Sequence, residues 1–354
     1  MERPQVPSGV AISFPSARDA SRRVAGVATV ARVIRELSEA GISSVWLRTP
    51  DGQPIDAAAM RDVERLAGRT VVRIGAPPAD RPAVTIPGHR LTPAEALPAY
   101  FADPSRPVPS AIDLTRRDAA AALLRRTGKA TDGPVSRWLN RPVSRALSAI
   151  LLTIPGVRPI HATVGTAALA LTMFAALVLG GPSGLIAGAL LFQAASIFDG
   201  VDGEVARATF RSSAAGAALD STVDTATTFL FIVGLAGNLV SSGHLLALPL
   251  AAWSVVLIAI GLALIRWRGG SSNLDRLKQY YRDRFPGPLM RKVMAFLTII
   301  SSRDFFALAN AAMIVVGFPM GPLYGFAAST SVWILFVVGS VLAPANPPLS
   351  AERT

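Results

Sequence analysis

"ATVGTAALALTMFAALVLGG", residues Ala162–Gly181, is a run of twenty residues without a charge. The hydrocarbon core of a bilayer is about 30 Å thick and takes roughly 20 apolar residues of helix to cross. The stretch therefore reads as a membrane span, and it divides the chain. Residues 1–133 mix charges, prolines and short apolar stretches as soluble proteins do, whereas long uncharged runs dominate from Ala162 onward. Leu245–Ile265 offers twenty-one uncharged residues and Gly321–Ala343 twenty-three. Thr225–Ser242 is a further span whose helix starts earlier, among aspartates. Gly184–Phe198 has only fifteen residues and needs to continue as helix through "DGVDGEVAR". Phe305–Phe318 is short as well and extends back through "RKVMAFLTIISSRD". The expected fold is an α-helical integral membrane domain of six transmembrane helices, preceded by a small cytoplasmic α/β domain.

The loops set the orientation. "GGPSG", "NLVSSGH" and "GFPMGP" carry no lysine or arginine, whereas the opposite connections hold Arg207, Arg211 and the basic run from Arg266 to Lys292. Under the positive-inside rule those basic loops face the cytoplasm. Both termini and the aspartate-rich end of the second and third spans then lie on that side, in an inner or cytoplasmic membrane. The formal net charge of +12 is distributed as anionic lipid would attract it, rather than as a nucleic-acid surface. The 354-residue chain has no cysteine, which excludes disulfides and thiolate metal sites. Its start, "MERPQVPSGV", lacks the basic and apolar pattern of a signal peptide.

Ahead of the first span, "GPVSRWLNRPVSRALSAILL" places Trp138 and apolar residues at helical spacing among Arg137, Arg141 and Arg145. This predicts an amphipathic helix on the membrane surface; the alternative is a basic linker helix packed on the protein.

Four aspartates stand beside the greasy runs. Asp199 and Asp202 are three apart and Asp220 and Asp224 four apart, so each pair shares one helix face. A carboxylate at membrane depth costs on the order of 2.5–3.5 kcal/mol, and Arg207 and Arg211 are the only cations nearby in sequence, while Glu204 adds a further negative charge. Oxygen-only ligands suit hard divalent cations, magnesium or manganese, two of which can serve displacement at phosphorus. The plain alternative is acids resting in water at helix ends. Gly200, Gly203 and Gly216 leave room for a bulky phosphorylated ligand, whereas Gly184 and Gly188 read as helix packing.

From Asp199 the order is Asp, two residues, Asp202-Gly203, two residues, Ala206-Arg207, eight residues, Gly216, three residues, Asp220, three residues, Asp224. This resembles the signature of the CDP-alcohol phosphotransferase family, and the resemblance covers about residues 134–343. It implies a membrane enzyme that moves a phospho-alcohol group from a CDP-alcohol donor to an alcohol acceptor and releases CMP. It implies metal on Asp199, Asp202, Asp220 and Asp224, with Asp224 also the base. It puts Gly203, Ala206 and Arg207 against the cytidine diphosphate, with Ser213 and Gly216 beside it. A homodimer is expected on the same ground. The chain departs from the family in "RPIHAT", where Ile160 stands in place of the asparagine of a Thr-Pro-Asn stretch. His161 reads as a hydrogen-bonded boundary residue, and Arg303, in or at the mouth of the fifth span, either as a contact to the acceptor or as half of a local ion pair with Asp304.

Residues 1–112 show a helix with apolar spacing from Val24 to Leu37, strands at Ser43–Leu47 and Thr70–Gly75, and an opening strand in "GVAISF". This is a small α/β layer structure. The pattern resembles a sugar-phosphate nucleotidyltransferase, and Ala111–Ser144 resembles the junction in bifunctional proteins that make CDP-inositol and then use it. "PSARDASRR" stands where that family has its glycine-rich loop, which implies a degenerate, non-catalytic domain. Residues 113–133 form a linker and 344–354 a tail. An inositol-type polyol is favoured on one side of the reaction. A metal-ion transporter and an inactive membrane scaffold are the rival classes.

Overall fold

The computed structural model describes residues 7–50, 53–79, 83–129, 132–269, 287, 288, 292 and 302–342. They fall into two compact units that interleave along the chain. One comprises Met1–Lys129, Ser144–His161 and Val201–Ser213; the other Ala130–Val143, Ala162–Gly200 and Ala214–Thr354.

The first unit is built on a parallel sheet ordered β5-β4-β1-β6, from β1 (Gly9–Ser13), β4 (Ser44–Arg48), β5 (Val71–Ile74) and β6 (Val84–Pro87). Parallel strands need crossovers, supplied here by α1 (Ala17–Ser21), α2 (Thr29–Glu39) and α3 (Ala57–Leu66). α2 buries Val30, Val33, Ile34 and Leu37, the i, i+3, i+4, i+7 face of a core-packed helix. Gly41 ends it at φ +88°, with Gly41 and Ile42 amides returning to the carbonyls of Ser38 and Leu37.

The helix begins five residues later than its apolar spacing predicts. Ala25 and Gly26 both take positive φ, 47° and 79°, and form the turn of a hairpin, β2 (Arg23–Val24) and β3 (Val27–Ala28). Arg32 on α2 is buried and donates to the Val24 and Ala25 carbonyls at 2.9 and 2.8 Å. Burial pushes its guanidinium down to about 9 against the pull of Asp62, so it stays charged at neutral pH. The remaining elements are β7 (Arg90–Leu91), paired with β8 (Ile112–Asp113), α4 (Leu97–Ala102) and α5 (Ala119–Arg125).

Among the described residues, five helices are long and apolar enough to cross a membrane: α7 (Pro159–Leu179), α8 (Gly181–Ala208), α9 (Ala214–Ser241), α10 (Ala247–Gly269) and α12 (Gly321–Leu342). This is the pattern of a multi-pass membrane protein. The expected sixth, α11 (Arg303–Val315), has thirteen described residues, about 20 Å of helix. Its expected extension through residues 293–301 and most of the basic run before it lie outside the described residues. The bundle core joins Met173 and Leu177 to Phe192, Phe231, Leu235, Leu323 and Phe326, with Phe192 stacked on Phe231 at 4.2 Å. Gly184 and Gly188 do pack helices: a Cβ on them would lie 2.2 Å from the Ala176 carbonyl oxygen and 2.4 Å from Leu177.

The segment before α7 is a π-helical turn, Ser136–Asn140, followed by α6 (Arg141–Leu151). Its faces are inverted relative to a soluble helix. Trp138, Leu139, Val143 and Ile150 are exposed, whereas Asn140, Arg141, Ser144 and Ser148 are buried. An apolar outer face of this kind suits the bilayer boundary. Arg141 is not one of its solvated charges, because it pairs through both Nε and Nη2 with Asp132 at 2.9 Å.

Candidate functional site

α8 and α9 run 28 residues each, about 42 Å at 1.5 Å per residue. That exceeds the hydrocarbon thickness by roughly 12 Å, so each helix has length to carry polar residues beyond the core. α8 continues through "DGVDGEVAR" and α9 starts ahead of its aspartates, as the sequence predicts.

Within the helical unit, carboxylate oxygens of Asp199, Asp220 and Asp224 lie within 4.8 Å of one another, all three half-buried. Arg303, the first residue of α11, faces them. Its Nη1 bonds Asp224 and sits 3.1 Å from Asp199 Oδ1. The second contact is electrostatic only, because Asp199 Oδ1 is buried without a hydrogen bond. One guanidinium against three oxygen donors, with a carboxylate oxygen left over, fits a hard divalent cation.

Two features hold this geometry. Gly165 on α7 lets the Phe198 ring approach, since a Cβ there would lie 2.6 Å from it. Phe198 directly precedes Asp199. Gly165→Leu is therefore expected to cost about 1–3 kcal/mol by overpacking, read as a lower thermal unfolding midpoint in detergent together with weaker Mn²⁺ binding. The second feature fixes Arg303. Its neighbour Asp304 accepts from Asn140 Nδ2 at 2.7 Å and Ser196 Oγ at 2.9 Å, and Gln193 Nε2 donates to Asn140 Oδ1 at 3.0 Å. Ser302 caps α11 by accepting from the Phe305 amide. Sequence reading missed Asn140, Gln193 and Ser196; the i, i+3, i+6 spacing of Gln193, Ser196 and Asp199 on α8 was the available signal.

The other predicted residues of α8 group with the first unit. Asp202 is buried and is not a member of the three-carboxylate cluster. Gly203 has a role in packing: a Cβ there would meet Arg207 Nη1 at 2.9 Å, so the bare backbone lets that guanidinium fold along the helix. Arg207 Nε donates to the Thr127 carbonyl at 2.7 Å. Ala206 is half-buried, and Ser213 and Gly216 are exposed around the start of α9. Glu204, unassigned from sequence, is fully buried and accepts from Ser144 Oγ and Ser148 Oγ, each at 2.7 Å. Near the turn after α8, burial and then the charge of Arg65 lower the Arg211 guanidinium. Ile160 is exposed, and His161 Nδ1 accepts from the Arg158 amide at 3.3 Å.

Residues 158–319 match the CDP-alcohol phosphatidyltransferase family. They form a domain of that family. Curated relatives share the likeness in part. A "bifunctional IPC transferase and DIPP synthase" of Aquifex aeolicus is 44% identical over 108 residues, 30% of this chain and 24% of the relative. The protein of the same name from Thermococcus kodakarensis is 39% identical over 120 residues, 33% of this chain and 25% of the relative. That of Rubrobacter xylanophilus is 45% identical over 105 residues, 30% and 23% respectively. The chain thus spans about a quarter of the length of the relatives it matches. The three clustered aspartates all lie inside the family domain.

Proposed function

We propose that this chain is a membrane CDP-alcohol phosphotransferase, moving a phospho-alcohol group from a CDP-alcohol to the hydroxyl of a second alcohol and releasing CMP. The observation that carries the reading is the cluster of Asp199, Asp220 and Asp224 inside the CDP-alcohol phosphatidyltransferase family domain. We read Asp202, three residues beyond Asp199 on α8, as the fourth ligand, and magnesium or manganese, two ions in our reading, would be held by these four carboxylates. Bound there, such ions would supply positive charge to offset the negative charge that develops on departing CMP.

The chain's own residues do the rest. Asp224 takes the proton of the acceptor hydroxyl as its oxygen attacks the β-phosphorus. The bond from that phosphorus to the CMP oxygen breaks, and CMP leaves with the electron pair. Gly203, Ala206 and Arg207, with Ser213 and Gly216, seat the cytidine diphosphate. Arg303 serves the acceptor side: its Nε and Nη2 are buried without hydrogen bonds among the described residues, which favours an anionic or polyol acceptor that takes them up. An inositol-type polyol is our preferred partner on one side. The basic loops support a reading with the site and both termini on the cytoplasmic face, and we read the working form as a homodimer in lipid.

The N-terminal domain is read as non-catalytic. In open parallel sheets ligands bind at the carboxyl ends of strands where the order reverses, here β1 and β6. Phe14 fills that place, buried, and a Cβ on Gly88 would lie 2.4 Å from its ring.

The test is CMP release by the full chain in lipid, with CDP-diacylglycerol or CDP-inositol as donor and a panel of polyol and lipid acceptors, with and without magnesium. Metal-dependent release is the expected result, and the productive pair names the substrates. Nucleotide binding without release from any pair supports a scaffold. A chain that binds no cytidine nucleotide overturns the reading.

A further inference from the structure

The last residues of α8 and the turn to α9 belong to the same compact unit as the N-terminal domain, and that domain grips them. α8 ends in a Schellman arrangement: the Arg211 amide returns to the Ala206 carbonyl at 2.8 Å and the Phe210 amide to Arg207 at 3.3 Å. Such caps want glycine at the left-handed position. Here it is Phe210, at φ +56°, a conformation that costs an L residue roughly 1–2 kcal/mol. A strained residue of this kind persists where its surroundings over-determine it.

Three arginines of α2 and α3 supply that constraint. Arg65 Nη1 donates to the Thr209 and Phe210 carbonyls at 3.0 and 3.3 Å. Arg32 Nη2 donates to the Ala208 carbonyl at 2.8 Å. The guanidinium groups of Arg32 and Arg35 lie 5.5 and 5.3 Å from the Phe210 ring centre. Cations on the last carbonyls of a helix also oppose its negative end. Asp62, buried, holds Arg65 in turn at 3.3 Å, and the hairpin tip Gly26 sits against Leu152 and Thr209 with no room for a side chain.

We propose that the N-terminal domain is a clamp for the phosphotransferase, with Arg65, Arg32 and Arg35 as positioning residues that hold the end of α8 and its turn in one conformation. A domain that carries no chemistry of its own thereby sets where Arg207 stands for the donor diphosphate. The role in catalysis rests on the function proposed above; the clamp itself does not.

Arg65→Gln and Arg35→Gln in the full chain, both at partly exposed sites, test it. Hydrogen exchange of the amides of residues 209–213 needs no nucleotide and reads the clamp alone. A rise of roughly tenfold in the Arg65 variant is expected. Adding Phe210→Gly, which takes the left-handed conformation freely, is expected to bring exchange back toward wild type. With a productive donor, KM for that donor is expected to rise several-fold with kcat nearly unchanged. Unchanged exchange in both single variants overturns the clamp. Raised exchange with an unchanged donor KM overturns its role in positioning the donor. If the wild-type chain uses no CDP-alcohol, the functional reading fails while the exchange result still decides the clamp.

Discussion

Asp224→Asn is expected to lower metal-dependent CMP release by two to four orders of magnitude, the usual contribution of a positioned general base. The substitution keeps shape and one oxygen acceptor, and removes a proton acceptor and one negative charge from a cluster that has three carboxylates against Arg303. Two losses are therefore mixed, and metal titration separates them. A variant that has lost only a ligand recovers at high magnesium, because mass action refills a weakened site. A variant that has lost the base does not. Asp199→Asn supplies the comparison: its Oδ1 already lacks a hydrogen bond, and it is expected to raise the magnesium requirement with much of the rate restored at saturation. If Asp224→Asn also recovers fully at high magnesium, the proton goes elsewhere and the assignment of the base is wrong. Mn²⁺ binding followed by electron paramagnetic resonance gives the same ranking without turnover.

The aspartates were legible because helix geometry makes spacing into position: residues three and four apart share a face, and long uncharged runs left no alternative to helices on either side. Three of the strands, β1, β4 and β5, were legible from their apolar stretches, whereas their parallel pairing was not. β6 was not, because "PAVTIPG" is bracketed by prolines that argue against a strand. The helix predicted from Val24 was misplaced at its start for a local reason. The apolar spacing of Val24, Val27 and Val30 fits a helix, yet Ala25-Gly26 turns the chain before Thr29. What no local pattern carries is a partner far along the chain. Arg303 meets Asp224 from 79 residues away, Asn140 meets Asp304 from 164, and Arg32 meets Ala208 from 176. In sequence each is a polar residue near an apolar run; in the fold each donates to a carboxylate or a carbonyl that its own neighbourhood in the chain does not reveal.

Glu204 is the sharpest case, and it carries a large expected effect on stability. It lies in the motif between Gly203 and Ala206, where its charge looked like an added burden on the acids. It is instead fully buried, with each carboxylate oxygen accepting from one hydroxyl, Ser144 60 residues away and Ser148 56 away. Those serines are four apart, so they stand one above the other on α6 and match the two oxygens of one carboxylate. Hydrogen bonds to a charged group contribute about 1.5–3 kcal/mol each, and Glu204→Leu removes both at once and leaves two buried hydroxyls without this acceptor. Glu204→Leu is therefore expected to destabilise the chain by about 3–5 kcal/mol, measured as a fall in the thermal unfolding midpoint in detergent. Ser144→Ala and Ser148→Ala are each expected to cost less, about 1–3 kcal/mol. Because both serines act on the same carboxylate, adding either to Glu204→Leu should cost little more. Full additivity of the double variant would mean that the serines hold α6 by some other contact.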